Sequence, residues 1–523
     1  MKRRSVLKAS RFITALAGLL MISGLSSFGT VAKQPNLLFI MTDQQRFDTL
    51  SYAGNTVLET PNIDRLAREG VWFENTYTQC AVCAPARASM LTGSSLANTG
   101  VIANKQAYLP DDGSLMQMKT YDEVLAENGY VCEYYGKWHT PFFRARVYKN
   151  PVTAAGINKT EFGPGEKEAY VKYLNPHYPE RPLKEIELMD TLTDRPYRPD
   201  PIDKRFNLVG PGKDSNIKVG QSDIHGVTSI PSAYHISAFE AGMTLEAMDK
   251  LKDKPFSLTC SFHHPHPPYL AAKDYAAMYP PGKMIPPVSI DDDMADSPYR
   301  GSKRNTNAKY SDPEMIQYFI TEYYAMVKEV DDWVGQILNK LDELGLTDNT
   351  LVVFTSDHGE MLGSHGMRGK FNFYEESSHV PMIIRFPGRI RPGTKVKAPV
   401  SNINLFATIL DYLKVPAPYS DGQSLRGFIE GTANEKEAYV VTEWLSSLSS
   451  KPSHLVVKGG WKYMRPHDSS TKVTPGLYNL NDDPHELENL LADGSGSKKS
   501  AAKMAELEAC YQEWMKRTSS RGN

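Results

Sequence analysis

Two apolar runs, Asn36-Leu-Leu-Phe-Ile-Met41 and, far downstream, Thr350-Leu-Val-Val-Phe-Thr355, constrain the fold of this chain more than any other feature. Neither alternates polar with apolar residues. Each therefore reads as a strand covered on both faces, as in a parallel sheet between helix layers. Helical patterns lie between them. Thr60-Pro61-Asn62-Ile63 opens a face of Leu66 and Phe73, and Met315 to Leu344 sets Tyr318, Ile320, Tyr323, Val327, Val330 and Val334 at helical spacing. The order strand, helix, strand, helix predicts an α/β fold with a doubly wound sheet. The first run ends in Thr42-Asp43-Gln44 and the second in Ser356-Asp357-His358-Gly359, and open α/β sheets place their sites at the carboxyl ends of such strands.

A chain of 523 residues that is 41% apolar and 23% charged has the composition of a soluble globular protein and the length for one large domain with a smaller companion. The expected division is a main domain over 33–420 and a C-terminal subdomain over 421–523. The latter should carry short strands near Tyr439 to Thr442, Ser453 to Lys458 and Trp461 to Arg465, and a final helix near Ala501 to Trp514. Residues 141–234, rich in Pro, Gly, Asp, Lys and Tyr with little periodicity, read as an insertion of loops that builds a substrate pocket or runs solvated over the surface.

Residues 1–32 form a leader. Lys2, Arg3, Arg4, Lys8 and Arg11 precede an apolar run from Phe12 to Leu25 and a small-residue stretch ending at Ala32, which is secretory architecture and too short to span a bilayer comfortably. Arg3-Arg4-Ser5-Val6-Leu7-Lys8 also resembles a twin-arginine export motif. The expected location is the periplasm or the medium. Removing the leader moves the formal charge from -2 to -7, so neither nucleic acid nor an anionic membrane is an expected partner. Attraction for an anionic substrate must be local.

Asp43 and Asp357, at the ends of buried strands, are expected to meet at one sheet edge. With the amide oxygen of Gln44 they offer the hard donors that calcium or magnesium prefers, and His358 adds a nitrogen; taken singly, each aspartate also reads as a helix cap. The five cysteines, Cys80, Cys83, Cys132, Cys260 and Cys510, are too few and scattered for a disulfide framework. Cys80 and Cys83 have redox-pair spacing, whereas Cys83-Ala-Pro-Ala-Arg87-Ala-Ser-Met-Leu-Thr-Gly93 reads as a thiol beside a cation, or as a helix started by Pro85 and capped by Arg87. Gly136 ends a strand and turns the backbone, so that Lys137 and His139 point toward one site. Three histidines crowd Ser261-Phe-His-His-Pro-His266-Pro-Pro-Tyr269, but the prolines spoil the geometry of a helical zinc pair.

The segment from Cys83 to Gly93 resembles the first signature of the type I sulfatases, members of the alkaline phosphatase-like superfamily. Gly129 to His139 resembles their second signature, with Cys132 at a threonine position. Thr42-Asp43-Gln44 and Ser356-Asp357-His358-Gly359 are similar to their metal segments, with Gln44 where a second Asp is frequent and His358 where Asn is frequent. Pro265-His266-Pro267-Pro268, Gly363 to Lys370, Tyr374 to Ile384, Asp421 to Leu425 and Leu477 to Leu490 extend the likeness over most of the chain. The resemblance implies a large domain with a mostly parallel central sheet flanked by helices, plus a smaller C-terminal α+β part with a short antiparallel sheet. It implies that Cys83 becomes formylglycine (3-oxoalanine) through a formylglycine-generating or sulfatase-maturating enzyme. Calcium is the first expectation at Asp43, Gln44, Asp357 and His358, with magnesium or manganese behind it.

In such a site Arg87 holds the formylglycine hydrate, Lys137 and Lys370 grip sulfate oxygens, His266 protonates the leaving oxygen and His139 takes a proton from the second hydroxyl. His263 and His264 are candidates for substrate or supporting contacts, and His365 and His379 for the pocket border or for structure. The expected activity is sulfate ester hydrolysis on an oligo- or polysaccharide. Tyr170, Tyr173, Tyr178 and Tyr197 would stack on sugars, and Lys204 and Arg205 would tolerate neighbouring sulfates. A carrageenan-type galactan is the first expectation and a glycosaminoglycan the second. The alternatives are a phosphomonoester or phosphonate hydrolase on the same scaffold, and a non-catalytic carbohydrate-binding relative in which Cys83 stays a thiol.

Overall fold

The Asn36 run is the strand Asn36–Thr42 and the Thr350 run is Thr350–Ser356, paired in parallel from Asn36 opposite Thr350 to Thr42 opposite Ser356. The computed structural model describes residues 34–149, 170, 173, 187–190, 195–196, 224–228, 230–300, 308–446, 451–467, 473–492 and 497–519. The leader and most of 141–234, including Tyr178, Tyr197, Lys204 and Arg205, lie outside them. Alternate residues of the Asn36 strand enter two different cores, as a strand covered on both faces demands. Leu37, Phe39 and Met41 pack with Leu351, Val353 and Ile384. Leu38 and Ile40 pack with Val352, Phe354 and the helix residues Val330, Val334 and Ile337.

The central sheet has seven strands in the spatial order Thr394–Ser401, Val71–Tyr77, Met382–Arg385, Thr350–Ser356, Asn36–Thr42, Phe256–Ser261, Val131–Gly136. Met382–Arg385 runs antiparallel to both neighbours; the other pairings are parallel. Helices cover it, among them Pro61–Glu69, Ile236–Leu251 and the long Pro313–Glu343. The mostly parallel α/β architecture expected from the sequence is present.

The C-terminal strands Val440–Glu443, His454–Lys458, Trp461–Arg465 and Gly476–Asn479 form an antiparallel sheet. The helix Lys498–Ser519 lays Leu507, Cys510 and Trp514 on one side of it. From the other side Leu455, Val457, Met464 and Tyr478 join Tyr77, Val82, Met361 and Tyr374 in one apolar cluster. No described helix is long and apolar enough to cross a membrane.

Two features were not legible in the sequence. The strand Tyr269–Ala272, just after the histidine-proline segment, pairs with Ile224–Thr228, which in turn pairs with Glu187–Asp190. The insertion thus carries short strands where its pattern showed none; five residues with a central glycine give no readable period. Tyr170 also differs from expectation. Tyr170 is buried, its ring lies 5.5 Å from Phe239, and its hydroxyl donates to the Tyr234 carbonyl. Tyr173 packs 5.2 Å from the same Phe239 and donates to the Ala233 carbonyl. Both rings hold the start of the Ile236–Leu251 helix, and the buried ring of Tyr170 is not a free face for a sugar.

Glu443 fastens the C-terminal sheet to the main body, accepting from the Leu96 amide at 2.6 Å and the Gln79 side chain at 2.9 Å. Burial pushes its carboxyl from 4.5 up to about 7, against those hydrogen bonds. An acid whose folded pKa is raised contributes stability that is complete below the unfolded value and is lost as pH rises through the folded one. Glu443→Gln removes that titration. Its melting temperature should therefore rise relative to the parent as pH goes from about 5 to about 8, the total change being on the order of 3 kcal/mol; parallel thermal melts check it.

Candidate active site

The Thr42–Ser356 pairing sets Asp43 and Asp357 side by side where the two central strands end. Both are fully buried, and two buried carboxylates persist as anions only with partners. Arg87 is the first. Its Nε donates to Asp357 Oδ2 at 2.7 Å and its Nη2 to Asp43 Oδ2 at 2.9 Å. Lys137 is the second, with Nζ 2.8 Å from the same Asp43 oxygen. Burial pushes the Asp43 carboxyl up, but Lys137, His266, Arg87 and Lys370 outweigh it and hold it well below the usual carboxylate range.

Arg87 arrives on the helix Cys83–Thr92, all of whose residues are buried. It neither starts nor caps that helix. Its Nη1 donates to the Lys137 carbonyl at 2.6 Å and to Ser261 Oγ at 3.0 Å. The guanidinium is therefore committed chiefly to orienting the two aspartates and the Lys137 turn, and its expected grip on an oxidised Cys83 falls to the remaining N–H on Nη2. The helix ends at Gly93, φ +63°, whose carbonyl accepts the Asp421 and Gly422 amides.

Lys137 follows Gly136, the last residue of Val131–Gly136. Gly136 has φ +91°, and a Cβ there would lie 1.9 Å from the Ser261 carbonyl oxygen, so only glycine permits this turn. Ser261 Oγ and the Tyr134 hydroxyl also donate to the Lys137 carbonyl, at 2.8 and 2.7 Å. His139 is buried with φ +43° and lies against Tyr108, ring centroids 5.6 Å apart. Neither of its ring nitrogens has a hydrogen-bond partner among the described residues. The turn brings Lys137 onto Asp43 but joins His139 to the cluster by no hydrogen bond.

Cys83, first residue of its helix and fully buried, is the point of convergence. Its Sγ is 3.1 Å from His358 Nε2, 3.2 Å from Lys370 Nζ and 4.0 Å from Asp43 Oδ1. Burial and Asp43 push the thiol up; Lys370, Lys137 and His358 together outweigh them and hold it well below its ordinary value. The pocket is built for negative charge at this position. Burial pushes Cys80 the other way, well above its ordinary value, so the two thiols are unlike, and the described cysteines carry no disulfide.

Gln44 has φ +68° and donates its amide to Asp357 Oδ1 at 3.0 Å, while its Oε1 accepts from Lys370 at 2.6 Å. His358 hydrogen-bonds the Gly359 carbonyl through Nδ1 at 2.9 Å, which places a proton on Nδ1 and turns Nε2 toward Cys83. Ligand atoms of Asp43, Cys83, Asp357 and His358 all lie within 4.8 Å of one another. Carboxylate and amide oxygens with one imidazole fit a divalent cation.

His266 completes the group. Its Nδ1 bonds the Pro267 carbonyl at 2.6 Å, and its Nε2 is 4.0 Å from Asp43 Oδ1. The other histidines serve the scaffold. His365 pairs with Asp292 at 2.6 Å under Tyr374, and His379 stacks between Phe47 and Tyr77 and bonds Glu375. His263 bonds Glu240, and His264 bonds Ser237 at 2.9 Å. Sequence reasoning missed Ser261, Tyr134 and Glu360. Glu360 accepts from the side-chain Nε2 of Gln44 and holds the backbone of the loop that delivers Lys370, accepting from the Leu362 amide at 3.1 Å and from that of Gly369. It lies three residues past Asp357, just beyond the recognisable segment.

A family model described as Sulfatase matches residues 35–415, and one described as N-sulphoglucosamine sulphohydrolase, C-terminal, matches residues 363–513. The chain is 28% identical to the multifunctional alkaline phosphatase superfamily protein PehA of Trinickia caryophylli, over 88% of this chain and 91% of the relative. It is 26% identical to the N-acetylglucosamine-6-O-sulfatase of Bacteroides thetaiotaomicron, over 98% of this chain and 92% of the relative. The solved phosphonate monoester hydrolase of Agrobacterium radiobacter superposes with a TM-score of 0.70 at 25% identity, covering 92% of this chain and 96% of that one.

Asp43→Asn leaves Arg87 and Lys137 short of a buried counter-charge. Its unfolding free energy in urea should fall by about 3–5 kcal/mol, whereas substitution of the exposed pair Lys119–Glu127 should change it little.

Proposed function

We propose, for a chain that belongs to the sulfatase family and is a sulfuric ester hydrolase, that it removes sulfate esters from a carbohydrate, with Cys83 in its formylglycine form and a divalent cation at Asp43, Gln44, Asp357 and His358. The observation that carries the proposal is the convergence of Lys370, His358 and Asp43 on Cys83 Sγ, with Arg87 and Lys137 on Asp43. Arg87, Lys137 and Lys370 gather three cationic side chains around Asp43 and residue 83 in a chain whose formal charge is negative. The charge placement favours a small dense anion bound over residue 83.

When present, the formylglycine hydrate supplies a nucleophilic and a second hydroxyl, and calcium, or magnesium or manganese in its place, supplies polarisation of the sulfate oxygens. The chain's own residues do the rest. Lys137 and Lys370 hold positive charge where sulfate oxygens gain negative charge. His266, its Nδ1 fixed on the Pro267 carbonyl, offers Nε2 as proton donor to the leaving oxygen. His139, whose ring nitrogens bond no described residue, is the group assigned to take the proton of the second hydroxyl.

The glucosamine-sulfate relative, aligned over nearly the whole chain, supports a sugar sulfate and favours an amino-sugar ester of the glycosaminoglycan kind over a carrageenan-type galactan. The phosphonate hydrolase likeness makes phosphonate and phosphate monoesters the second reading. Export through the leader to the periplasm or medium, and a maturating enzyme that oxidises Cys83, belong to the same proposal.

Initial rates on sulfated amino-sugar oligosaccharides, carrageenan oligosaccharides, 4-nitrophenyl sulfate and phenyl phosphonate esters test it. Sugar sulfates should show the highest kcat/KM; a clear preference for phosphonates overturns the proposal. Active enzyme should weigh about 18 Da less than the thiol form when dehydrated, and Cys83→Ala should be inactive. His266→Ala should lose about 10²–10⁴-fold on sugar sulfates but much less on 4-nitrophenyl sulfate, whose leaving group needs no proton.

A further inference from the structure

A second buried constellation lies beside the first and takes no part in the chemistry described above. His235 precedes the helix Ile236–Leu251, Glu329 sits within Pro313–Glu343, and His264 follows the strand Phe256–Ser261. All three are buried, Glu329 completely. His235 Nδ1 lies 2.7 Å and His264 Nδ1 3.7 Å from the same oxygen, Glu329 Oε2, and the two imidazole centroids are 4.7 Å apart. The three ligand atoms fall within 4.8 Å of one another. Glu329 Oε1 is buried and accepts no hydrogen bond among the described residues. An unpaired buried carboxylate oxygen costs roughly 1–3 kcal/mol or more, and a cation held by both oxygens of the carboxylate would satisfy it.

The geometry points to a metal site at His235, His264 and Glu329, a buried two-histidine, one-glutamate zinc site distinct from the cation site at Asp43. Zinc takes such donors at about 2.0–2.1 Å in a tetrahedron, which sets ligand-to-ligand edges near 3.3 Å. The two separations to Glu329, 2.7 and 3.7 Å, straddle that value, and all three donor atoms lie within 4.8 Å of one another. Two imidazoles disfavour calcium and magnesium, which select oxygen. Binding displaces the proton shared between His235 and Glu329. Ser237 Oγ, 2.9 Å from His264 Nδ1, stands where a fourth oxygen donor or the partner of a bound water is needed.

The site has a structural consequence. The His264 carbonyl accepts the Asp43 amide at 3.3 Å, and His266 lies two residues on. A metal here would pin both helices to the loop that carries the proposed proton donor and the backbone of the first carboxylate. That makes it a positioning site, and its existence does not depend on the sulfatase reading.

The test uses full-length Cys83→Ala/His358→Ala protein throughout, which takes both the thiol and the imidazole out of the neighbouring cation site. Chelator-stripped protein is titrated with Zn2+, and with Co2+ as a visible-absorption probe. One equivalent should bind, cobalt should give the strong d–d bands of a tetrahedral site, and X-ray absorption at the zinc edge should show two imidazoles. Glu329→Gln and His235→Asn, each checked for native circular dichroism, should weaken binding at least tenfold, while Asp357→Asn should leave it unchanged. Failure of the parent to bind an equivalent overturns the proposal. So does unaltered affinity in both cluster variants, or a zinc shell without imidazole.

Discussion

Two buried carboxylates held next to each other are the interaction on which the rest of this structure depends. The parallel register of the two central strands forces Asp43 and Asp357 together, and their mutual repulsion in a buried setting would cost several kcal/mol if uncompensated. Arg87 spans both, Lys137 supplies the second charge on Asp43, and the Gln44 and His358 amides donate to Asp357 Oδ1. Each of those partners is itself fixed from behind. Gly136 allows the chain to approach Ser261 closely, and Ser261 and Tyr134 hold the carbonyl of Lys137. The positive pocket over Cys83 thus follows from balancing the aspartates, and anion recognition and folding stability draw on the same charges.

The C-terminal sheet takes part in this balance from a distance. Lys462 is buried between Glu375 and Glu486, at 2.8 and 2.9 Å, and Glu375 also receives the Tyr77 hydroxyl and His379. Lys451 donates to the Phe371 carbonyl at 2.8 Å, and the Phe371 amide reaches the Ala81 carbonyl at 3.3 Å. The residue after Lys370 is therefore tied both to the segment that leads to Cys83 and to Lys451, 80 positions later, at the approach to the C-terminal sheet.

Much of this was written plainly in the chain. Unbroken apolar runs announced both central strands, and the polar residues after them announced Asp43 and Asp357, because the period and the end of a strand are local properties. The Lys137 turn was legible through Gly136. What stayed hidden depends on contacts between distant segments. Nothing near Ser261, Tyr134 or Glu360 marks them as supports, since each acts on a backbone or amide group delivered by another element. Arg87 was legible as a cation beside Cys83 but not as a clamp on two aspartates, and Tyr170 was legible as an aromatic but not as a buried one. The His235, His264 and Glu329 cluster was hidden for the same reason: its members come from three elements, and only their meeting gives them a chemistry.

The complete burial of Cys83 fixes an order of events. A sulfur with no accessible surface, wedged among His358, Lys370 and the first turn of its own helix, offers no face to a second macromolecule once the sheet has closed over it. Under the proposed function, an enzyme that oxidises this side chain would have to meet it while the segment is still extended. Oxidation would then compete with collapse, and a molecule that folded first would keep its thiol.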